Sequence, residues 1–222
     1  MSVSHSDAAA LLVLDLQVDF VEHDGRMPIA PDQIDQVLRT SNNAIEAAAA
    51  HHTVIAYIGN EYTRWDIPGN WFRHNAALGG TPGAALDPRV KRLSAAPYFP
   101  KRQGDAFSNP DLARFLRSHH IHRVVICGVY ADACVTATAR GALRRGLAVT
   151  VLADAVGAAS DAARQSALAK IGRAGAQIET TGEFINHLEV TSHAANWSDV
   201  SRANRSLCQK KPTARSHSSA GC

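Results

Sequence analysis

Residues 10–16 read Ala-Leu-Leu-Val-Leu-Asp-Leu, apolar at successive positions until Asp15. A strand with one wet face alternates apolar and polar residues. A strand that is apolar throughout is buried on both faces, as in a parallel sheet covered by helices on each side. Parallel neighbours need long crossover connections, usually helical, so this one run already calls for helices between strands. The sequence supplies them. Residues 31–51 place Ile34, Val37, Leu38 and Ile45 on one helical stripe. Strand-sized apolar runs recur at 53–59, 98–101, 123–129, 147–153 and 176–180. Asn109-Pro110-Asp111 combines an N-cap, a proline at the first helical position and an acid in the first turn, starting a helix that runs to about 119. Further helices are expected near 132–145 and 160–173, ended by Gly146 and Gly175. Residues 60–87 read as a long, loop-rich segment. The fold expected is α/β, a six-stranded parallel Rossmann-like sheet with helices on both faces.

In such sheets the active site lies at the carboxyl ends of the strands. Asp15 and Asp19 after strand one, Lys101 at strand three and the segment 128–134 after strand four are therefore expected to converge. Residues 1–190 form the expected domain. From 191 onward Ser, Asn, Arg, Lys and Gly dominate and periodicity is lost, which reads as a mobile basic tail.

That tail matters for the charge. Arg202, Arg205, Lys210, Lys211 and Arg215 against Asp199 give it +4, so residues 1–190 carry −1 of the chain's net +3. A body without basic surplus argues against nucleic acid as a partner. Cys127, Cys134, Cys208 and Cys222 form no C-x-x-C pair, so neither a disulfide framework nor a zinc ribbon is expected. Residues 1–10 lack a basic segment followed by an apolar run, and the longest apolar runs are strand-sized. No secretion signal and no membrane span are expected, and a cytoplasmic location fits best.

The strongest chemical signal is the exit of strand four, Cys127-Gly128-Val129-Tyr130-Ala131-Asp132-Ala133-Cys134. An apolar strand breaks at a glycine and a helix starts near Asp132, which can cap it. Cys134 then falls in the first turn, where free backbone N–H groups and the helix dipole favour a thiolate and can hold an oxyanion. The competing reading of Cys134 is a small apolar filler between helix and sheet, and for Cys127, inside the strand, filler is the better reading. Taken singly, Asp15 reads better as a capping or turn residue at a strand end, and Lys101 reads better as a surface cation.

Three separated motifs change that balance: Leu11 to Phe20 (LLVLDLQVDF), Phe99 to Phe107 (FPKRQGDAF) and Cys127 to Ala139 (CGVYADACVTATA). In them the chain resembles the isochorismatase-like cysteine hydrolase superfamily over about residues 9–185. It is most similar to the amidohydrolase branch that holds N-carbamoylsarcosine amidase and ureidoacrylate amidohydrolase. The resemblance implies Asp15 as catalytic aspartate, Lys101 as catalytic lysine and Cys134 as nucleophile. It also implies a cis peptide between Val129 and Tyr130 and an oxyanion hole formed by the N–H groups of Tyr130 and Cys134. A homodimer or homotetramer is implied as well. Ala131 stands where the family commonly has threonine.

The implied activity is cleavage of a C–N bond in a small amide, ureido or carbamoyl compound through a thioester. Phe20, Trp65, Trp71 and Tyr130 are expected to wall the substrate, with Arg64 on a carboxylate. No cofactor and no catalytic metal are expected. Where nicotinamidase-like members carry D-x-H and a further histidine, this chain reads Asn60-Glu61-Tyr62, and the spacing of His119, His120 and His122 does not put ligands on one face. Other readings stay open at this point: a vinyl ether hydrolase of the same superfamily, disfavoured by Cys134; a nucleotide-dependent oxidoreductase, disfavoured because no G-x-G-x-x-G follows strand one; and a non-catalytic binding member of the fold.

Overall fold

The computed structural model describes residues 8–191; residues 1–7 and the expected tail from 192 onward lie outside the described residues. Six strands form one parallel sheet in the order β3-β2-β1-β4-β5-β6. They are β1 (Ala9–Leu14), β2 (Val54–Asn60), β3 (Tyr98–Lys101), β4 (Arg123–Val129), β5 (Ala148–Gly157) and β6 (Gln177–Glu179). The helices are α1 (Val18–Val21), α2 (Pro31–Ala50), α3 (Ile67–Phe72), α4 (Pro110–Ser118), α5 (Thr136–Leu143), α6 (Asp161–Arg173) and α7 over residues 181–191.

The opening apolar run behaves as its pattern requires. Leu11 and Val13 enter one core layer with Ile34, Val37 and Ile45 of α2 and Phe184 of α7. Ala10, Leu12 and Leu14 enter the other, with Leu112 of α4, Ala139 of α5 and Ile171 of α6. Every one of these β1 residues is at most 1% exposed, so truncating any of the leucines to alanine would cost about 2–5 kcal/mol. Cys127 alternates into the first layer, fully buried, as the filler reading has it.

β1 lies between β2 and β4, where the strand order reverses, and this switch point sets the site. Leu14 is paired with Ile58 on one side and Gly128 on the other. Gly128 has φ of 115°, and a Cβ there would lie 1.9 Å from the Leu14 carbonyl oxygen. Only glycine lets β4 approach β1 this closely. Beyond β1, Asp87 and Arg89 strap the exit: Asp87 N–H donates to Leu16 O at 2.9 Å, and Arg89 bonds both Asp87 carboxylate oxygens and Val21 O. Burial alone would raise the Asp87 carboxyl, but the hydrogen bonds and charge of Arg89 outweigh it and hold the group below its usual value.

Three elements differ from the sequence reading. α3 forms within the expected loop, across Pro68-Gly69. β5 runs past residue 153 to Gly157 through a register shift against β4; Asp154, which reads as a strand end, accepts from the Thr181 N–H and hydroxyl at 2.8 and 2.9 Å. α7 follows β6 where no helix was expected. It begins with a reciprocal cap: Thr180 N–H donates to Glu183 Oε2 at 2.7 Å, and Glu183 N–H to Thr180 Oγ1 at 3.2 Å.

Candidate active site

The carboxyl edge of the sheet gathers one polar side chain from each of four neighbouring strands or their exits. Asp15 follows β1 with φ of 54°, a left-handed conformation that Asp tolerates better than most residues. Asn60 closes β2 and Lys101 closes β3, and the two are register partners. Cys134 stands in the turn after β4. Their exposures are 0%, 1%, 2% and 7%, so an ion pair and a thiol are held almost out of water.

Lys101 Nζ is the hub. It lies 2.9 Å from Asp15 Oδ2, 2.7 Å from Asn60 Oδ1 and 3.3 Å from Cys134 Sγ. An ammonium has three protons, and these three acceptors account for them. Asn60 Nδ2 completes the ring, 3.7 Å from Cys134 Sγ. Gln17, itself fully buried, holds the Asn60 main chain from both sides. Its Nε2 donates to Asn60 O at 2.8 Å and its Oε1 accepts from Asn60 N–H at 2.8 Å.

The Val129–Tyr130 peptide is cis. After it the chain winds one wide turn over Ala131–Val135 before α5, with Tyr130 O accepting from the N–H groups of Ala133 and Val135. Tyr130 precedes the turn and no side chain caps it; Asp132 is exposed inside it. The expected Asp132 cap is therefore corrected, because the turn starts one residue earlier than the sequence reading placed it.

Electrostatics bring a second correction. The helix start was expected to depress the Cys134 thiol. Burial instead pushes it up to about 12, the nearby Asp15 carboxylate adding to the rise while Lys101 and Asn60 pull the other way. Burial likewise raises the Asp15 carboxyl, opposed by the Lys101 charge. Burial works against the Lys101 ammonium, yet Asp15 and Cys134 hold it above its usual value. The site therefore holds Asp15, Lys101 and the Cys134 thiol in one buried cluster, and the upward shift of the Asp15 carboxyl makes it the stronger base toward the thiol proton.

Of the expected substrate residues, Phe20 and Tyr130 meet edge-on with ring centroids 5.7 Å apart, and the Tyr130 hydroxyl donates to Met27 O. Trp65 and Trp71 are 89% and 75% exposed, and Arg64 is exposed too. The half-buried cation of this region is Arg73, its guanidinium 3.8 Å from the centre of the Tyr62 ring. Asp19 does not join the cluster: its carboxylate accepts from the Ala77 N–H at 2.8 Å and fixes a loop. His119, His120 and His122 are exposed at the far end of the sheet. A groove of about 630 Å³ also lies at that end, lined in part by His51, Arg123 and Phe184, away from the carboxyl edge where this fold does its chemistry.

Known proteins resemble this chain in sequence and in fold. The isochorismatase domain family model matches residues 9–183. The isochorismatase family protein YecD of Escherichia coli O157:H7 is 32% identical over 122 residues, 55% of this chain and 58% of that protein. Streptothricin hydrolase of Streptomyces noursei is 31% identical over 148 residues, 66% of this chain and 53% of that protein. The chain thus spans little more than half the length of these two relatives. The crystal structure of the Pyrococcus horikoshii pyrazinamidase in complex with zinc superposes with a TM-score of 0.71 at 28% identity, covering 78% of this chain and 99% of that one. Among the described residues here, no group of three or more His, Cys, Asp and Glu side chains is placed to hold a metal ion. At the β2 exit the Asn60 amide is engaged with Lys101 and Cys134.

Proposed function

The chain belongs to the isochorismatase family, and from that premise we propose that it is a cysteine-dependent hydrolase that cleaves a C–N bond in a small amide, ureido or carbamoyl substrate. The single observation that carries this reading is the buried contact of Lys101 with both Asp15 and Cys134. A fold used only for binding has no need of an ion pair and a thiol in mutual contact, and burying such a pair is costly unless it is well partnered. The names of two relatives, a streptothricin hydrolase and a pyrazinamidase, support hydrolytic chemistry.

In the proposed reaction Asp15 takes the thiol proton as Cys134 sulfur attacks the substrate carbonyl carbon. The oxyanion formed is held by the N–H groups of Tyr130 and Cys134. Collapse breaks the C–N bond, and Asp15 returns the proton to the departing nitrogen, which leaves as ammonia or an amine. Water, activated by Asp15, then hydrolyses the thioester and restores the thiol. Lys101 stays charged throughout, balancing the aspartate and the thiolate. Phe20 and Tyr130 form the apolar side of the substrate site, and no step calls for a cofactor. Ammonia release from a panel of small amides, ureido acids and carbamoyl amino acids tests the substrate class. Turnover of at least one of these is expected, and turnover of a vinyl ether with none of them overturns the reading.

The proposal includes assembly. Trp65, Ile67, Trp71 and Phe72 are each at least 70% exposed within eight residues, a concentration of large apolar groups that marks an interface. In a homodimer or homotetramer this segment, with Arg64, meets a second copy or the substrate between them. Light scattering is expected to give a dimeric or tetrameric mass that Trp65→Ser/Trp71→Ser lowers; a monomeric wild type contradicts it. Cys127 and Cys134 are free thiols, which suits a reducing compartment, and a cytoplasmic location is part of the same proposal. Among the described residues no helix is long and apolar enough to cross a membrane.

A further inference from the structure

Asn60 has an orientation that chemistry fixes. Lys101 carries donors only, so the atom of Asn60 that lies 2.7 Å from Nζ must be the amide oxygen. The amide nitrogen is then the atom facing Cys134 Sγ at 3.7 Å. A neutral thiol is a weak acceptor and a thiolate a strong one, so this donor interacts most with the charged form of the sulfur. Gln17 is 0% exposed and uses its amide on main chain alone. It bonds Asn60 on both its N–H and its carbonyl, and bonds Ala84 O at 2.6 Å. The main chain of Asn60 is thereby held where β2 leaves the sheet, and Lys101 holds the amide oxygen of its side chain.

We propose that Asn60 is a catalytic residue, donating through its amide to the Cys134 sulfur as charge develops there, and that Gln17 is the positioning residue that aims it. The proposal rests on reading Cys134 as the nucleophile. Asn60→Asp is nearly isosteric, keeps an acceptor for Lys101, and replaces the donor to sulfur with an acceptor. The Cys134 thiolate becomes harder to form, and its fraction below the thiol pKa falls about tenfold for each unit of rise.

The test is the alkylation rate of each cysteine in the full chain by iodoacetamide between pH 7 and 10, read by peptide mass spectrometry, with kcat and KM measured alongside. In Asn60→Asp, Cys134 is expected to react roughly tenfold more slowly, with kcat falling and KM little changed. Buried Cys127 should stay as unreactive as in wild type, which reports an intact fold. Should the carboxylate of Asn60→Asp disturb the fold, Asn60→Ser, which removes the amide without adding charge, is read in its place and is expected to slow Cys134 in the same direction. Cys134 reacting at the wild-type rate in these variants overturns the role of Asn60. Gln17→Met keeps the bulk and loses the hydrogen bonds. It should slow Cys134 as well, and add nothing on top of Asn60→Asp, because two residues acting through one contact are not additive. A Gln17→Met variant that is only less stable, with Cys134 reactivity unmoved, overturns the positioning role. Alkylation reads the thiol whether or not a substrate is known, so a failure here is distinct from a failure of the proposed activity.

Discussion

Cys134→Ala is expected to lower turnover by roughly 10⁴-fold or more, the scale seen when a covalent nucleophile is deleted and only binding and oxyanion stabilisation remain, while leaving the fold nearly untouched. Both halves follow from the site. Without sulfur no thioester forms, and the backbone N–H groups are left to assist direct attack by water. The protein loses little, because the resting thiol is neutral and its removal leaves the Asp15–Lys101 pair and the Lys101–Asn60 bond in place. A loss near 1 kcal/mol, typical of a single small truncation, moves the thermal midpoint by a few degrees. Ammonia release and thermal unfolding of the same preparation check both. An unfolded variant would refute the structural half, and a fully active one the mechanistic half.

Lys101→Met is expected to have the largest effect on stability. Lys101 and Asp15 are 2% and 0% exposed, and removing one partner of a buried pair typically costs about 3–5 kcal/mol because the other charge is left uncompensated. The pH dependence follows from the sign of the Asp15 shift. Burial already raises that carboxyl, and the Lys101 charge is the main influence opposing it. In the variant Asp15 therefore titrates higher still. A carboxyl that holds its proton more tightly folded than unfolded contributes stability in acid, which is lost as pH rises from the usual carboxylate value, 3.8, through the raised folded value. The deficit against wild type should widen from mild acid to neutral pH. Asp15→Leu/Lys101→Met removes both charges and should recover much of the loss while staying inactive. Denaturant unfolding at two pH values reads all of this, and a single variant as stable as wild type at neutral pH would show that the pair is not buried as described.

The sequence made most of this architecture legible because one signal, a continuous apolar run ending in a polar residue, recurs at each buried strand. That signal located β3 and β4 at their observed bounds and found Asp15 and Lys101. The same signal marks Asn60 at the end of β2, but an asparagine after a glycine also reads as a turn, and its role depends on Lys101 and Cys134 being brought to it by tertiary pairing. Gln17 has no local signature at all, since its partners are main-chain atoms 43 and 67 residues away. α3 was hidden by Pro68-Gly69, which reads as a break when the helix is only six residues long. α7 was announced by Thr180 and Glu183, a capping pair that Gly182 between them obscures. The thiol was misjudged because a helix start is visible in sequence, whereas burial, the larger influence on Cys134, is a property of the folded protein.

The central claim is that Cys134 sulfur carries the acyl group during turnover. Acid quenching of the enzyme within the first turnovers of a substrate found in the amide panel, followed by peptide mapping, measures this directly. The account predicts the substrate's acyl mass on the peptide bearing Cys134, removable by hydroxylamine. An acyl group on Lys101 or any other residue would contradict it.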